Sequence, residues 1–289
     1  MNILVTGANG YLGTEISKLQ INDVYFFKGF RNTVNLLNQN DLKTYILNNK
    51  IDVIIHCAIE GGKRGIKDSL DNFYNNLLMA ENILSLSSHV NKIINIASGA
   101  EFDRKTDILN NDEEDIFNKC PTDYYGLSKN IIAKRFNDEK TNTYNIRIFG
   151  CFDENEINAR YIKSCIINNI SNKEIIIHED KYMDFIYMDD LIRIIKYYIL
   201  NKNLIYKDIN ACYEQKLKLS EIASFINNIT NNQVSIKIEN PEKGLNYSGD
   251  FKKLKSLEIN LTGLTNGILN TYNKFYEHKN NISCNALGS

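Results

Sequence analysis

Short, continuously apolar runs alternate with longer stretches whose apolar residues recur every three or four positions over roughly the first two hundred residues. NILVTG (2–7), VYFFKGF (24–30), IDVIIHCA (51–58), KIINIAS (92–98) and TYNIRIFG (143–150) read as strands. Between them, residues 11–20, 40–50, 70–90 and the stretch around 122–139 carry helical spacing, the second opened by an Asn or Asp cap. IDVIIHCA shows no alternation, as suits a strand covered on both faces. Strands alternating with helices predict an α/β fold, a doubly wound parallel sheet with right-handed crossovers. Beyond residue 150 the alternation loosens: helices at 157–170, 189–200 and 219–229, a strand at 174–178 and a charged turn at 240–244 suggest a smaller second lobe. The expected division is 1–155, with 184–202 returning to it, against 156–289. No linker separates the two, so they should share a cleft.

Composition narrows the class. With 289 residues, 43% hydrophobic and 24% charged, the chain can bury a sizeable core as one large domain or one and a half. A net charge of -1 supplies no field for nucleic acid or an anionic membrane. The longest apolar run, 191–200, is charged within and too short to span a bilayer. No repeat is present, and the abundance of Asn, Ile and Lys leaves the hydrophobic periodicity intact. Cys57, Cys120, Cys151, Cys165, Cys212 and Cys284 are scattered, with no C-x-x-C pair and no histidine at metal spacing. No metal is expected. The start of the chain has no secretory leader pattern, so reduced thiols and a cytoplasmic location are the expectation.

Three features carry chemistry. TGANGYLG places Gly7, Gly10 and Gly13 between the first strand and its helix, where a dinucleotide's pyrophosphate is bound in Rossmann folds. A merely structural turn would explain one of these glycines but not all three. The end of the second strand reads FFKGFRN, with Lys28 and Arg31 and no acid, which favours the 2′-phosphate of NADP over the ribose hydroxyl of NAD, although NAD is possible. TDYYGLSKN sets Tyr125 one helical turn before Lys129. That pair is either a surface contact or a proton donor with the cation that tunes it. Tyr124 lacks a lysine at the same offset.

The GxxGxxG spacing with Y-x-x-x-K downstream resembles the extended short-chain dehydrogenase/reductase family. DVIIHCA is similar to that family's strand ending in H-x-A-A, and FYNNLLMAENIL to its segment with an Asn before N-I/V-L. IASGAEFD is similar to S-S-x-x-V-Y-G, with Ser98 on the catalytic Ser/Thr position, and DFIYMDDL (184–191) to R-D-F-I-H-V-D-D-L. The last points to the nucleotide-sugar branch, and FRNTVNLLNQNDLKTYILNNKIDVIIHCAIEGG resembles GDP-fucose synthases in particular. The resemblance implies catalysis by Ser98, Tyr125 and Lys129, with the cation and a positive nicotinamide ring favouring the phenolate of Tyr125. It implies cofactor contacts from Gly7, Asn9, Gly10, Tyr11, Leu12, Gly13, Lys28, Arg31, Ala58 and Asn76 besides Tyr125 and Lys129. Substrate contacts would come from Ser98, Gly99, Ala100, Tyr125, Arg160 and Lys163.

Absences then separate reactions within the family. The acid pair that follows the serine in 4,6-dehydratases is replaced by Gly99 and Ala100. The cysteine and histidine of fucose synthases are missing: Ala100 stands at one place, and none of His56, His89, His178 and His278 lies in the loop GCFDENE, where Cys151 reads as filler. The C4-epimerases usually carry an acid after strand two. What remains is reduction of a 4-keto nucleotide sugar by NADPH, with a C4-epimerase or 4-dehydrogenase using NAD as runner-up and a catalytically silent NAD(P) sensor as the reading from another class. One departure stands out, because the arginine before D-F-I is Met183, with Lys181, Arg160 or Lys163 as substitutes. Asp189 and Asp190 read as helix caps. Apolar positions on more than one face of 70–90 and 122–139 predict a homodimer through those helices.

Overall fold

The computed structural model describes residues 1–286 other than 64, 141 and 243, with side chains described as far as residue 276, so Cys284 and His278 lie outside the described side chains. In chain order the first half holds β1 (Asn2–Thr6), α1 (Tyr11–Ile16), β2 (Tyr25–Gly29), α2 (Gln39–Asn48), β3 (Val53–His56) and α3 (Leu70–Leu84). It continues through β4 (Lys92–Ser98), β5 (Ile108–Asn111), α4 (Tyr124–Asp138) and β6 (Thr143–Ile148). The second half holds β7 (Cys151–Phe152), α5 (Tyr161–Ile170), β8 (Ile175–Glu179), β9 (Ile186–Tyr187), α6 (Met188–Leu200) and β10 (Asp208–Ala211). It ends with α7 (Leu219–Thr230), β11 (Ile236–Asn240), β12 (Tyr247–Gly249), α8 (Lys252–Ser256) and α9 (Leu264–Ala286).

The central sheet is six-stranded and parallel, in the order β10-β6-β4-β3-β1-β2. Strand order reverses between β1 and β3, and in open α/β sheets the crevice at the carboxyl ends of such a pair is where ligands bind. Successive residues of the strands face opposite layers. Ile3, Val5, Ile55, Ile94 and Ile146 pack with Leu191, Ile194, Ile195 and Tyr198 of α6. Leu4, Ile54 and Ile93 pack with Leu42 and Ile46 of α2, Met79 and Ile83 of α3, and Ile132 and Phe136 of α4.

Several boundaries differ from those expected. α1 stops at Ile16, where Ser17 bonds back to the carbonyl of Gly13 at 2.6 Å. α3 ends at Leu84 and a short 3-10 turn covers Ser87–His89. The segment returning to the first unit does not end at 202: it runs on to β10, the sixth strand of the sheet. DINA has no apolar run to announce a strand, because two of its four residues are polar anchors beneath the sheet surface. Three two-stranded pairs lie outside the central sheet: β12 beside β5, β7 beside β9, and β8 beside β11. Among the described residues no helix is long and apolar enough to cross a membrane.

Candidate active site

The turn after β1 can be built only with glycine. Gly7 has φ +66°, and a Cβ there would lie 2.7 Å from the backbone nitrogen of Ala58. A Cβ on Gly13 would lie 2.3 Å from the carbonyl oxygen of Gly7, so α1 could not pack down onto the turn. Gly10 closes the turn by donating to that same carbonyl at 2.9 Å, and no side chain caps the start of α1. Ala58 is drawn against Gly7 by Thr6, whose hydroxyl oxygen accepts from the backbones of Cys57 and Ala58, each at 3.2 Å. The hydroxyl proton then points to Nδ1 of His56 at 2.9 Å. Burial, with Lys129 nearby, pushes His56 down to about 3, so it is neutral. Asn9 is exposed, Leu12 packs partly on the core, and the Tyr11 hydroxyl donates to Asp153 at 2.7 Å.

At the far end of this crevice the basic residues behave differently from one another. Lys28 faces solvent. Arg31, two residues past β2, forms an ion pair with Glu60, four residues past β3. Sheet order places β1 between those strands, so the pair reaches across the mouth of the glycine turn. Hydrogen bonds from Asn75 and Asn72, with the charge of Arg31, hold the Glu60 carboxyl below its usual range against partial burial. An acid therefore does stand beside the cation of strand two, delivered by the loop after β3, two strands away. Asn76 turns both ends of its amide to the backbone of Glu60, at 2.8 and 2.9 Å, and so clamps this loop.

Ser98 ends β4 and Tyr125 lies in the first turn of α4, whose N-terminus is capped by Asp123 on the Gly126 N–H at 2.8 Å. The sheet brings the two side chains close enough for Ser98 to favour the Tyr125 phenolate. Burial raises Tyr125; the Ser98 hydrogen bond and the charges of Arg104 and Arg160 pull it down, while Glu101 pushes it up. Lys129, one turn on, is buried, donates to the Ile96 carbonyl at 2.8 Å and is lowered by that burial. The guanidinium of Arg104 lies 5.6 Å from the Tyr125 ring centroid and pairs with Asp123 at 2.9 Å. Gly62, in the loop after β3, also lies against that ring: a Cβ there would come within 2.5 Å of it.

The expected substrate contacts divide. Gly99 is buried, and a Cβ on it would strike the Phe149 ring at 2.3 Å and the Tyr247 hydroxyl at 2.9 Å. Ala100 is buried beneath, its N–H donating to the Ser98 hydroxyl at 3.3 Å. Arg160 is exposed at the start of α5, 4.0 Å from Glu156, and its charge reaches Tyr125. Lys163 is turned away from this group: buried, it donates to the carbonyls of Glu154 (2.7 Å) and Glu156. Met183 bridges to the backbone of Tyr247. Asp190 does not cap its helix. It accepts from Tyr213, Arg193 and the backbones of Thr262 and Gly263, and so fastens the approach to α9.

Two residues of this site escaped the sequence reading. Tyr247, on β12, lies near Ser98 and near enough to Tyr125 for that group's charge to raise the cost of ionising it. Nothing in LNYSGD signals it. Arg104 could have been found as the cation six residues after Ser98. The Cys151 thiol is hydrogen-bonded to Tyr11 and pushed well up by burial, which argues against a thiolate. Among the described residues, no group of three or more His, Cys, Asp or Glu is placed to hold a metal.

A crevice at a strand-order reversal, walled by a glycine turn and closed by a Ser–Tyr–Lys group, defines a nicotinamide-dependent oxidoreductase. The chain belongs to the NAD dependent epimerase/dehydratase family, whose model matches residues 3–212. No curated protein sequence matches it significantly. Among solved structures, a dTDP-4-dehydrorhamnose reductase from Clostridium acetobutylicum ATCC 824 is similar at 20% identity and TM-score 0.79, over 96% of this chain and 100% of that one. A GDP-L-fucose synthetase from Naegleria fowleri bound to NADP gives 17% and 0.77, over 96% and 94%. A UDP-glucose 4-epimerase from Thermus thermophilus in complex with NAD gives 15% and 0.74, over 96% and 99%. At such identities these likenesses establish the fold alone.

Proposed function

We propose that this protein reduces the C4 keto group of a 4-keto nucleotide sugar, a deoxyhexose or heptose, with NADPH, in the making of a surface glycan. The approach of Ser98 to Tyr125, one helical turn before the buried Lys129, carries the reading. The bound cofactor would supply a hydride. The chain's own residues do the rest: Ser98 holds the ketone oxygen against Tyr125, and Tyr125 gives its proton to that oxygen as charge develops there. Arg104 and Arg160 lower the cost of the resulting phenolate. The uncapped start of α1 and the backbone N–H groups of the glycine turn fit a pyrophosphate.

Tyr125→Phe is expected to cut NADPH oxidation by a dTDP- or GDP-linked 4-keto-6-deoxy sugar by about two to four orders of magnitude. Binding of NADPH should stay within a few-fold. A variant with most of its activity intact would refute the assignment. A second reading, an NAD-dependent C4-epimerase or 4-dehydrogenase, is favoured by the Glu60 carboxylate that neutralises Arg31. A silent NAD(P) sensor has no use for the Ser98–Tyr125 contact. The assembly in this reading is a homodimer through α3 and α4, where Leu70, Tyr74 and Leu78 expose 47%, 59% and 46% of their surface along one stripe.

A further inference from the structure

One large buried ionic network lies directly beneath the Ser98 group and takes no part in the chemistry above. Arg147 on β6 is fully buried; it donates to Glu101 at 2.7 Å, to Asp208 at 2.8 Å and to Asn210 at 3.1 Å. Its guanidinium lies 4.9 Å from the ring centroid of Phe102. Stability is a poor reason for such a cluster, because the desolvation of buried charges offsets much of their attraction. Its placement offers a better one. The second oxygen of Glu101 accepts from the backbone N–H of Ser98 at 2.7 Å. The Glu101 carbonyl accepts from Asn130 at 2.9 Å, the residue after Lys129 on α4. Glu101 thus touches both the strand end that carries Ser98 and the helix that carries Tyr125 and Lys129.

We propose that Glu101, anchored by Arg147, is a positioning residue that fixes the Ser98 strand end against the Tyr125–Lys129 turn of α4. This rests on the reading of Ser98 and Tyr125 as the reacting pair. A carboxylate suits the task better than an apolar side chain, since it can accept from Ser98 and Arg147 at once. Its charge also acts on the pair. Tyr125 is faced by Ser98, Arg104, Arg160, Glu101 and Tyr247, and Lys129 by Glu101, Cys57 and His56. Glu101 in turn is faced by Arg147 and Asp208.

The test needs no turnover, so it stands or falls apart from the choice of substrate. In protein labelled with 13C at the tyrosine Cζ and saturated with NADP, the Tyr125 resonance is the one missing from Tyr125→Phe. In Glu101→Gln, Tyr125 should ionise about one pH unit lower than in the wild type, the order expected for removing one nearby charge. An unchanged or higher midpoint overturns the proposal. Should Glu101→Gln fail to fold, the triple variant Glu101→Gln/Arg147→Met/Asp208→Asn removes the whole charged cluster, a net negative charge, and a downward shift is again expected. With any 4-keto sugar that the wild type reduces, the folded variant should lose at least about tenfold in kcat with KM within about threefold. Wild-type kcat in a folded variant would reduce the network to a structural one.

Discussion

Arg31 and Glu60 allow cofactor choice to be worked out from geometry. The Arg31 side chain is 88% exposed and free to swing, whereas Glu60 is 15% exposed and held by Asn72 and Asn75. A 2′-phosphate must take the guanidinium from that carboxylate. A charge-assisted contact to phosphate contributes about 1.5–3 kcal/mol, and parting a largely exposed ion pair costs about 0.2–1 kcal/mol. The balance is about 0.5–2.8 kcal/mol, or roughly two- to hundred-fold in Kd, in favour of NADPH over NADH. Titration of both nucleotides by fluorescence, in the wild type, Arg31→Ala and Glu60→Gln, measures each part. Arg31→Ala should bring the two affinities within about threefold, while Glu60→Gln should tighten NADPH by up to about fivefold, the size of an exposed pair, without moving NADH. Equal affinities in the wild type, or a preference that survives Arg31→Ala, would defeat the argument.

Glu156 is pushed up to about 8 by burial and by Asp153, so the folded state binds a proton that the unfolded state releases near 4.5. Stability should therefore fall as pH rises from about 5 to about 8, and Glu156→Gln should gain melting temperature over the wild type across that window; a difference independent of pH would contradict this. Light scattering at micromolar concentration should give a dimer that Leu78→Glu disrupts, and a wild-type monomer would remove α3 and α4 as an interface. Reduction in deuterated water should place no enzyme-dependent deuterium at C3 or C5 of the sugar, since Ala100 is buried and the Cys151 thiol is held protonated; incorporation there would reveal a further acid–base group.

The fold was legible wherever an element is written in local spacing. Gly7, Gly10, Gly13, Tyr125 and Lys129 fall inside single turns, and strands such as IDVIIHCA announce themselves by being apolar throughout. It read poorly wherever a contact joins distant segments. Tyr247 reaches Ser98 only because β12 pairs with β5, and Glu60 meets Arg31 only because β1 separates their strands by two sheet spacings. Lys163 was misjudged for a related reason, since a lysine's sequence neighbours do not reveal that two carbonyls of the loop 154–156 wait for its ammonium. Asp190 looked like a cap by position, yet the backbone groups of Thr262 and Gly263 that it accepts from lie some seventy residues away.

The late arrival of β10 has a consequence for how this chain is made. Until residue 211 has left the ribosome, β6 is an open edge whose pairing groups could accept a stray strand. Arg147 would meanwhile lack Asp208 and Asn210 and keep only Glu101. A nascent chain halted near 155 would thus carry the whole glycine turn with Ser98, Tyr125 and Lys129 and still hold in its interior a guanidinium short of two of its hydrogen-bond partners. Acquisition of the fold should be gated by translation of a four-residue strand more than fifty residues downstream, a dependence that arrest of synthesis at successive lengths would expose as a single late step in protease resistance.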